Sequence, residues 1–354
     1  MYGHPPRRVV HHERRSPTGR LELRMTSTAT SEVTVQRWTP PLWMGFLARR
    51  GTRFLVSLWV LVTASFLMIH LVPGDPVRIA LGRSAPIETV EARRQALGLD
   101  QPLLTQYFGY LRGVITGDFG TSIITGLPVS DVIAVRLPAT MELALFAFAL
   151  IIVITVPLGT IFAVLTRGDR HPRTEVGFAA ASIAVAALPT FLTATVLITV
   201  FAVGLNWLPA AGRDGLPSLV LPVVALSIGP IAVLTRILRV DMLGVLERDF
   251  IRTARAKRLP WLRIYLVHAL PNACTATLTV AGLLFSGMIA GTVIVENVFA
   301  WPGLGSTIVS AIQQKDFPLV QMIVLVLGAL ILLTNLIVDL ILALINPRSL
   351  IRGQ

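Results

Sequence analysis

Side chains able to do chemistry are few in this sequence and stand far apart. Glu142, Glu296 and Asp339 are carboxylates within or beside long apolar stretches, and Asn297 follows Glu296. An ionisable residue at membrane depth is a candidate for function. General acid–base work needs two such groups at one point, however, and these three belong to three different stretches. Glu142 and Glu296 fall close to an apolar boundary, where capping is the plain reading and contact with a passing substrate the sharper one. Asp339 suits a neighbouring helix or an arginine. His70 and His268 are separated by three apolar stretches, and His11 and His12 sit in a polar N-terminal segment, so no histidine set has metal-ligand spacing. Cys274 is the only cysteine, which rules out an intrachain disulfide and a CxxC metal site. GxxxxGK[ST], HExxH and GxSxG are all missing. The chain cannot cradle ATP phosphates in a P-loop, and a membrane-embedded enzyme, the main alternative of another class, is left without a reactive set. No catalytic residue, metal ligand or cofactor is expected.

The elements that carry these residues are apolar runs. Of 354 residues 54% are hydrophobic and only 14% charged, with a mean hydropathy of +0.72. A water-soluble domain carries about 25% charged residues, so the solvent for most of this chain is a bilayer. Six stretches are long enough to cross about 30 Å of hydrocarbon as helices: approximately 54–72, 138–165, 176–204, 219–240, 273–295 and 319–345. Pro157, Pro189, Pro222 and Pro230 lie inside them and are expected as kinks that neighbouring helices tolerate. The first stretch stops at Pro73-Gly74-Asp75-Pro76, a turn cluster. The expected fold is an all-α integral membrane protein with six transmembrane helices.

The net charge of +12 comes almost wholly from arginine, since Lys257 and Lys315 are the only lysines. These cations flank the apolar runs, which suits membrane topology better than a nucleic-acid face. Arg49, Arg50 and Arg53 precede the first run, and Arg167, Arg170 and Arg173 join the second to the third. Arg236, Arg239, Arg248, Arg252, Arg255, Lys257, Arg258 and Arg263 join the fourth to the fifth, and Arg348 and Arg352 follow the last. The short opposite loops hold only Arg213 and Lys315. An even number of spans then places both termini in the cytoplasm.

Residues 1–43 differ in kind. They are polar, proline-bearing and without helical period, so they are expected to be disordered and dispensable, with Met44 a natural start for a compact first helix. Residues 44–354 form the transmembrane domain, with an external loop over 73–137 and a cytoplasmic loop over 241–268. Within the external loop, PIETVEARRQALGL reads as a short helix. The following segment, with Leu104, Phe108, Leu111 and Ile115, reads as an amphipathic helix ended by Gly117. Together they suit a lid over the bundle or a docking platform for an external partner.

The cytoplasmic segment RDFIRTARAKRLPWLRIYLVHALPNA at 248–273 carries the mechanism. Apolar Phe250, Ile251, Ala254 and Leu259 alternate with charges, predicting one or two amphipathic helices bent at Pro260. Such a segment is either an interfacial helix facing anionic lipid or a lever gripped by a cytoplasmic motor, and composition does not separate the two.

The residues resemble a known family at this point. The segment is similar to the conserved EAA-type loop of binding-protein-dependent ABC permeases, in the branch serving dipeptides, oligopeptides and nickel. HLVPGDPV at 70–77, GLDQPLLTQYFGYLRGVITGDFGTS at 98–122, ENVFAWPGLG at 296–305 and NLIVDLILALINPR at 335–348 look like signatures of the B-type permease of that branch. The resemblance covers roughly 44–350 in order. It implies a type I importer permease in the bacterial cytoplasmic membrane that moves di- or oligopeptides, with nickel or short sugars as alternative cargoes. The implied partners are a second homologous permease in a heterodimer, two cytoplasmic ATPase subunits, an extracytoplasmic substrate-binding protein and the lipid bilayer. The coupling loop would comprise Asp249, Phe250, Ile251, Arg252, Thr253, Ala254, Arg255, Ala256, Lys257, Arg258 and Leu259. Phe250, Ile251 and Leu259 would be apolar anchors, with Arg252, Arg255 and Lys257 as a polar rim. Three positions depart from the pattern: Arg258 stands where the loop motif has glycine, Pro271 where a basic residue is common, and Asn346 where an aspartate is usual. Pro271 predicts a kink or a late start to the fifth span.

Overall fold

The computed structural model describes residues 42–71, 76–82, 85–96, 98–169 and 172–345. Residues 1–41 of the extension expected to be disordered, the Pro73-Gly74-Asp75 turn, Arg170, Asn346 and the last two arginines lie outside them, whereas residues 42 and 43 already belong to the first helix. The described residues are helical throughout apart from turns and one isolated β-bridge, Thr121 to Pro128. That outcome follows from the solvent, because hydrocarbon offers no partner to a backbone amide and a helix satisfies its own.

Among the described residues twelve helices follow one another. Helix α1 (Leu42–His70) is the first span, α2 (Pro76–Leu81) and α3 (Ile87–Ala96) are short, and α4 (Leu103–Thr116) lies across α1. Helix α5 (Val129–Leu165) runs for 37 residues, α6 (Pro172–Ala186) and α7 (Thr190–Gly204) form a bent pair, and α8 is Leu216–Leu246. The short α9 (Asp249–Ala256) precedes α10 (Trp261–Val298), α11 (Leu304–Gln314) and α12 (Phe317–Ile345).

Five of these helices are long and apolar enough to span a membrane alone. The third expected span is instead α6 plus α7, bent by 93°. Pro189 is the cause: it sits in extended backbone (φ −61°, ψ 137°) at the start of α7, and a proline drives the residue before it out of the helical region. Pro157, Pro222 and Pro230, by contrast, stay inside continuous helices. Pro271 neither breaks nor delays the fifth span. Helix α10 starts at Trp261, and its turns widen to π geometry over Ile264–Ala269, just ahead of that proline. A widened turn takes up the carbonyl that proline cannot bond. Helices α5 and α8 also overrun the expected limits, by nine residues at the start of α5 and six at the end of α8.

Hydrogen bonds between distant residues fix which helix ends share a face. Arg50 near the start of α1 pairs with Asp339 near the end of α12 at 2.7 Å. The Ser286 hydroxyl donates to Asn335 at 2.7 Å, and Gly282 faces Val338, so α10 and α12 are antiparallel. Arg239 on α8 meets Thr166 at the end of α5 (2.8 Å) and Glu175 at the start of α6 (2.6 Å). At the opposite face the Gly212 amide, beyond α7, donates to the Phe299 carbonyl. The bent pair therefore passes from one face to the other, which makes six crossings. Both outer helix ends lie on the face that carries α9.

Small residues set the packing. A Cβ on Gly282 would meet Val338 at 2.1 Å, and one on Gly328 would meet Leu61 at 2.7 Å. Without a hydrophobic drive between helices in lipid, such close approach supplies the contact energy. The Ser227 hydroxyl adds a polar tie, donating to Ala147 of α5 at 3.1 Å. Over the opposite face, α4 docks on α1 through Tyr110 to Ser65 (3.3 Å) and His70 to Gln106 (3.0 Å). Burial pushes the Tyr110 phenol above its ordinary range. Gly117 at φ +77° ends α4.

Candidate functional site: the α9 segment and the buried carboxylate

Helix α9 is amphipathic, and its two faces have different fates. Ile251 and Ala254 turn inward onto Leu238, Met242 and Leu246 of α8 and Ile264 and Ala269 of α10. Phe250, Arg252, Thr253, Ala256 and Lys257 point outward. The expected set of three apolar anchors is corrected by this: Ile251 is 0% exposed and belongs to the permease's own core, while Phe250 is 41% exposed. Adjacent residues on a helix point about 100° apart, so Phe250 and Ile251 cannot serve the same surface. Leu259 is half-buried against the same core. Arg255 is likewise no free rim charge, because its guanidinium reaches back to the Leu246 carbonyl at 3.4 Å, capping α8. Burial, and then the charge of Arg167, hold Arg255 below its ordinary value. The exposed Asp249–Arg252 pair at 3.5 Å contributes little.

The segment ends in a specific turn. The Arg258 amide donates to Arg255 (2.8 Å) and the Leu259 amide to Ala254 (3.3 Å), the two bonds of a Schellman motif. That motif needs left-handed backbone at its turn residue, and Arg258 adopts it at φ +53°. The arginine keeps a geometry that glycine takes freely, at a cost of about 1–2 kcal/mol. Pro260 follows in extended backbone, immediately before the first residue of α10.

At the opposite face Glu296 forms a closed knot. Its side chain is 0% exposed. The Thr140 hydroxyl donates to one carboxylate oxygen at 2.7 Å and the Ser306 amide to the other at 3.0 Å. The second donor belongs to the first turn of α11, where a carboxylate is favoured by the helix dipole. The Leu304 amide donates to Thr140 at 2.8 Å, and the buried Trp301 indole donates to Ala139 at 2.9 Å. Glycines make room: a Cβ on Gly303 would lie 2.4 Å from the carboxylate, and one on Gly305 2.5 Å from the Val293 backbone. Asn297 braces the same turn through Val293 (2.7 Å) and Gly305 (3.2 Å).

The other candidate polar residues are paired. Glu142 accepts from Arg213 at 2.9 and 2.5 Å, with the guanidinium 5.8 Å from the Trp301 ring, and Asp339 holds Arg50. The four candidates are not one site: Glu142, Glu296 and Asn297 share the region of Trp301, and Asp339 sits at the α9 face. Sequence reasoning missed Arg239, which is buried and bonded to Glu175 and Thr166, not a free cation of a loop. Its place within the apolar run LTRILRVDM was the available signal. Among the described residues no group of three or more His, Cys, Asp or Glu could hold a metal.

Residues 155–350 match the family described as the binding-protein-dependent transport system inner membrane component. Residues 43–144 match its membrane-component N-terminal family. The glutathione transport system permease protein GsiC of Escherichia coli K12 is 35% identical over 305 residues, covering 86% of this chain and 98% of that protein. GsiC of Pectobacterium atrosepticum is 36% identical over 308 residues. Among solved structures, a chain of the MetNI methionine ABC transporter in an inward-facing conformation superposes with a TM-score of 0.53 at 16% identity. It covers 61% of this chain and 96% of that one.

Proposed function

The chain belongs to the binding-protein-dependent transport system inner membrane components, and from that premise we propose that it carries di- or oligopeptides inward as one half of a permease heterodimer. The membership itself makes it a multi-pass inner-membrane permease subunit of an ABC importer, working with ATPase and binding-protein partners and not an enzyme. The relatives' cargo, glutathione, is a tripeptide, which favours a short peptide over nickel or a sugar.

The observation that carries the mechanism is the divided face of α9. One side, Ile251 and Ala254, is cemented to α8 and α10, so any force on α9 passes into two spans. The other side offers Phe250, Thr253 and Lys257 to the ATPase. Closure of the ATPase dimer would draw the two permeases' α9 helices together and rock the bundle between inward-open and outward-open states. Arginine placement favours a cytoplasmic position for α9 and both termini. The 85–128 region with α4 then lies outside, where the binding protein docks.

Reconstitution in liposomes with both permeases, the ATPases and the binding protein tests this. Short peptides should stimulate ATP hydrolysis and be taken up. Stimulation by nickel or a sugar, with none by peptides, would overturn the cargo. Cysteine-accessibility labelling at Gln101 in a Cys274→Ser background should occur in intact cells. Labelling only after lysis would reverse the orientation.

A further inference from the structure

An apolar cleft of about 160 Å³ opens on the outside of the bundle at the α9 face. Its walls are Ile161 and Leu165 at the end of α5, and Trp261, Leu262, Tyr265 and Leu266 at the start of α10. Trp261 is 65% exposed, and Ile161, Leu165, Leu262 and Leu266 are each about half exposed. These are span ends, the level of the headgroup boundary, where tryptophan and tyrosine collect. The wall on the α10 side includes the π-helical turns of Ile264–Ala269, so it is continuous with the connection from α9 to its span.

The rim is cationic and unanswered. Arg167 follows Leu165 by two residues, and Arg263 is exposed between Leu262 and Tyr265. Neither Arg167 nor Arg263 has a carboxylate partner among the described residues. Cations beside an apolar slot call for a ligand with an anionic head and an aliphatic tail. The cytoplasmic leaflet supplies one in its anionic phospholipids.

We propose that this cleft holds an acyl chain of an anionic inner-leaflet phospholipid, with its phosphate engaged by Arg167. The lipid would fill the gap between the end of α5 and the start of α10 and so brace the coupling segment from its membrane side. The proposal rests on the cytoplasmic placement of α9 given above, and not on the cargo.

The assembled importer, in nanodiscs containing phosphatidylglycerol with a photoactivatable acyl chain, provides the test. Label should appear in peptides spanning 160–165 and 261–266. Unlabelled phosphatidylglycerol should compete at least about fivefold better than phosphatidylcholine, the increment expected for one basic residue near the surface. Arg167→Gln should erase that preference while label persists. Leu266→Trp, which fills the slot without changing charge, should abolish the label while the complex stays assembled. Absence of label, or equal competition by the two lipids, would overturn the proposal. So would label that appears only after the ATPases are stripped away, which would assign the cleft to the ATPase.

Discussion

Two ends of this molecule handle polarity in opposite ways. Around Glu296 every polar atom is spoken for: both carboxylate oxygens, the Thr140 hydroxyl, the Trp301 indole and the first amides of α11 are partnered and buried. At α9 one face is sealed and the other is left open, with Phe250 at the surface. A closed knot holds two spans in a fixed relation. An open face on a rigidly mounted helix is what the proposed coupling needs as a handle. The same family signatures thus mark two different things, a buried joint and an exposed surface that the proposed coupling would use.

The contrast can be broken at either end. The largest effect is expected from Glu296→Ala, which removes the acceptor for Thr140 and Ser306. Each orphaned buried group costs about 1–3 kcal/mol, before the cavity is counted, so thermal stability of the purified permease should fall steeply and yield with it. Ile251→Ala comes next, at about 2–5 kcal/mol for truncating a buried side chain, and should appear as a lowered melting temperature even without the ATPases. Arg258→Gly should do the reverse on a smaller scale, raising stability by about 1 kcal/mol because glycine takes the left-handed turn without strain; coupling should be unchanged. Arg252→Ala should shift ATPase affinity least, by under about 1 kcal/mol, since its charge is exposed and screened.

Much of this was written in the sequence, for reasons that differ from element to element. The spans were readable because hydrocarbon tolerates little but apolar helix, and α4 because Leu104, Phe108, Leu111 and Ile115 recur at helical spacing and Gly117 ends them. The break at Pro189 was not, because four internal prolines look alike on paper and only the surrounding packing decides which becomes a corner. The closure around Glu296 depends on Thr140, 156 residues away, and the pairing of Glu142 with Arg213 spans 71 residues. Hydropathy carries no information about such partners. The orientation of α9 was half readable: its period showed two faces, but whether Phe250 or Ile251 points outward depends on Leu238, Met242 and Ile264 in other helices.

The central claim is that Phe250 transmits force to a helix that Ile251 anchors. The direct measurement is peptide-stimulated ATP hydrolysis by the reconstituted importer carrying Phe250→Ala, alongside the melting temperature of that permease. Truncating an exposed anchor should cost about 1–3 kcal/mol of docking. Stimulation should therefore collapse, or the ATPases should dissociate, while the melting temperature stays at the wild-type value. Wild-type stimulation with the ATPases still bound would contradict the account and leave α9 a surface helix with no motor attached.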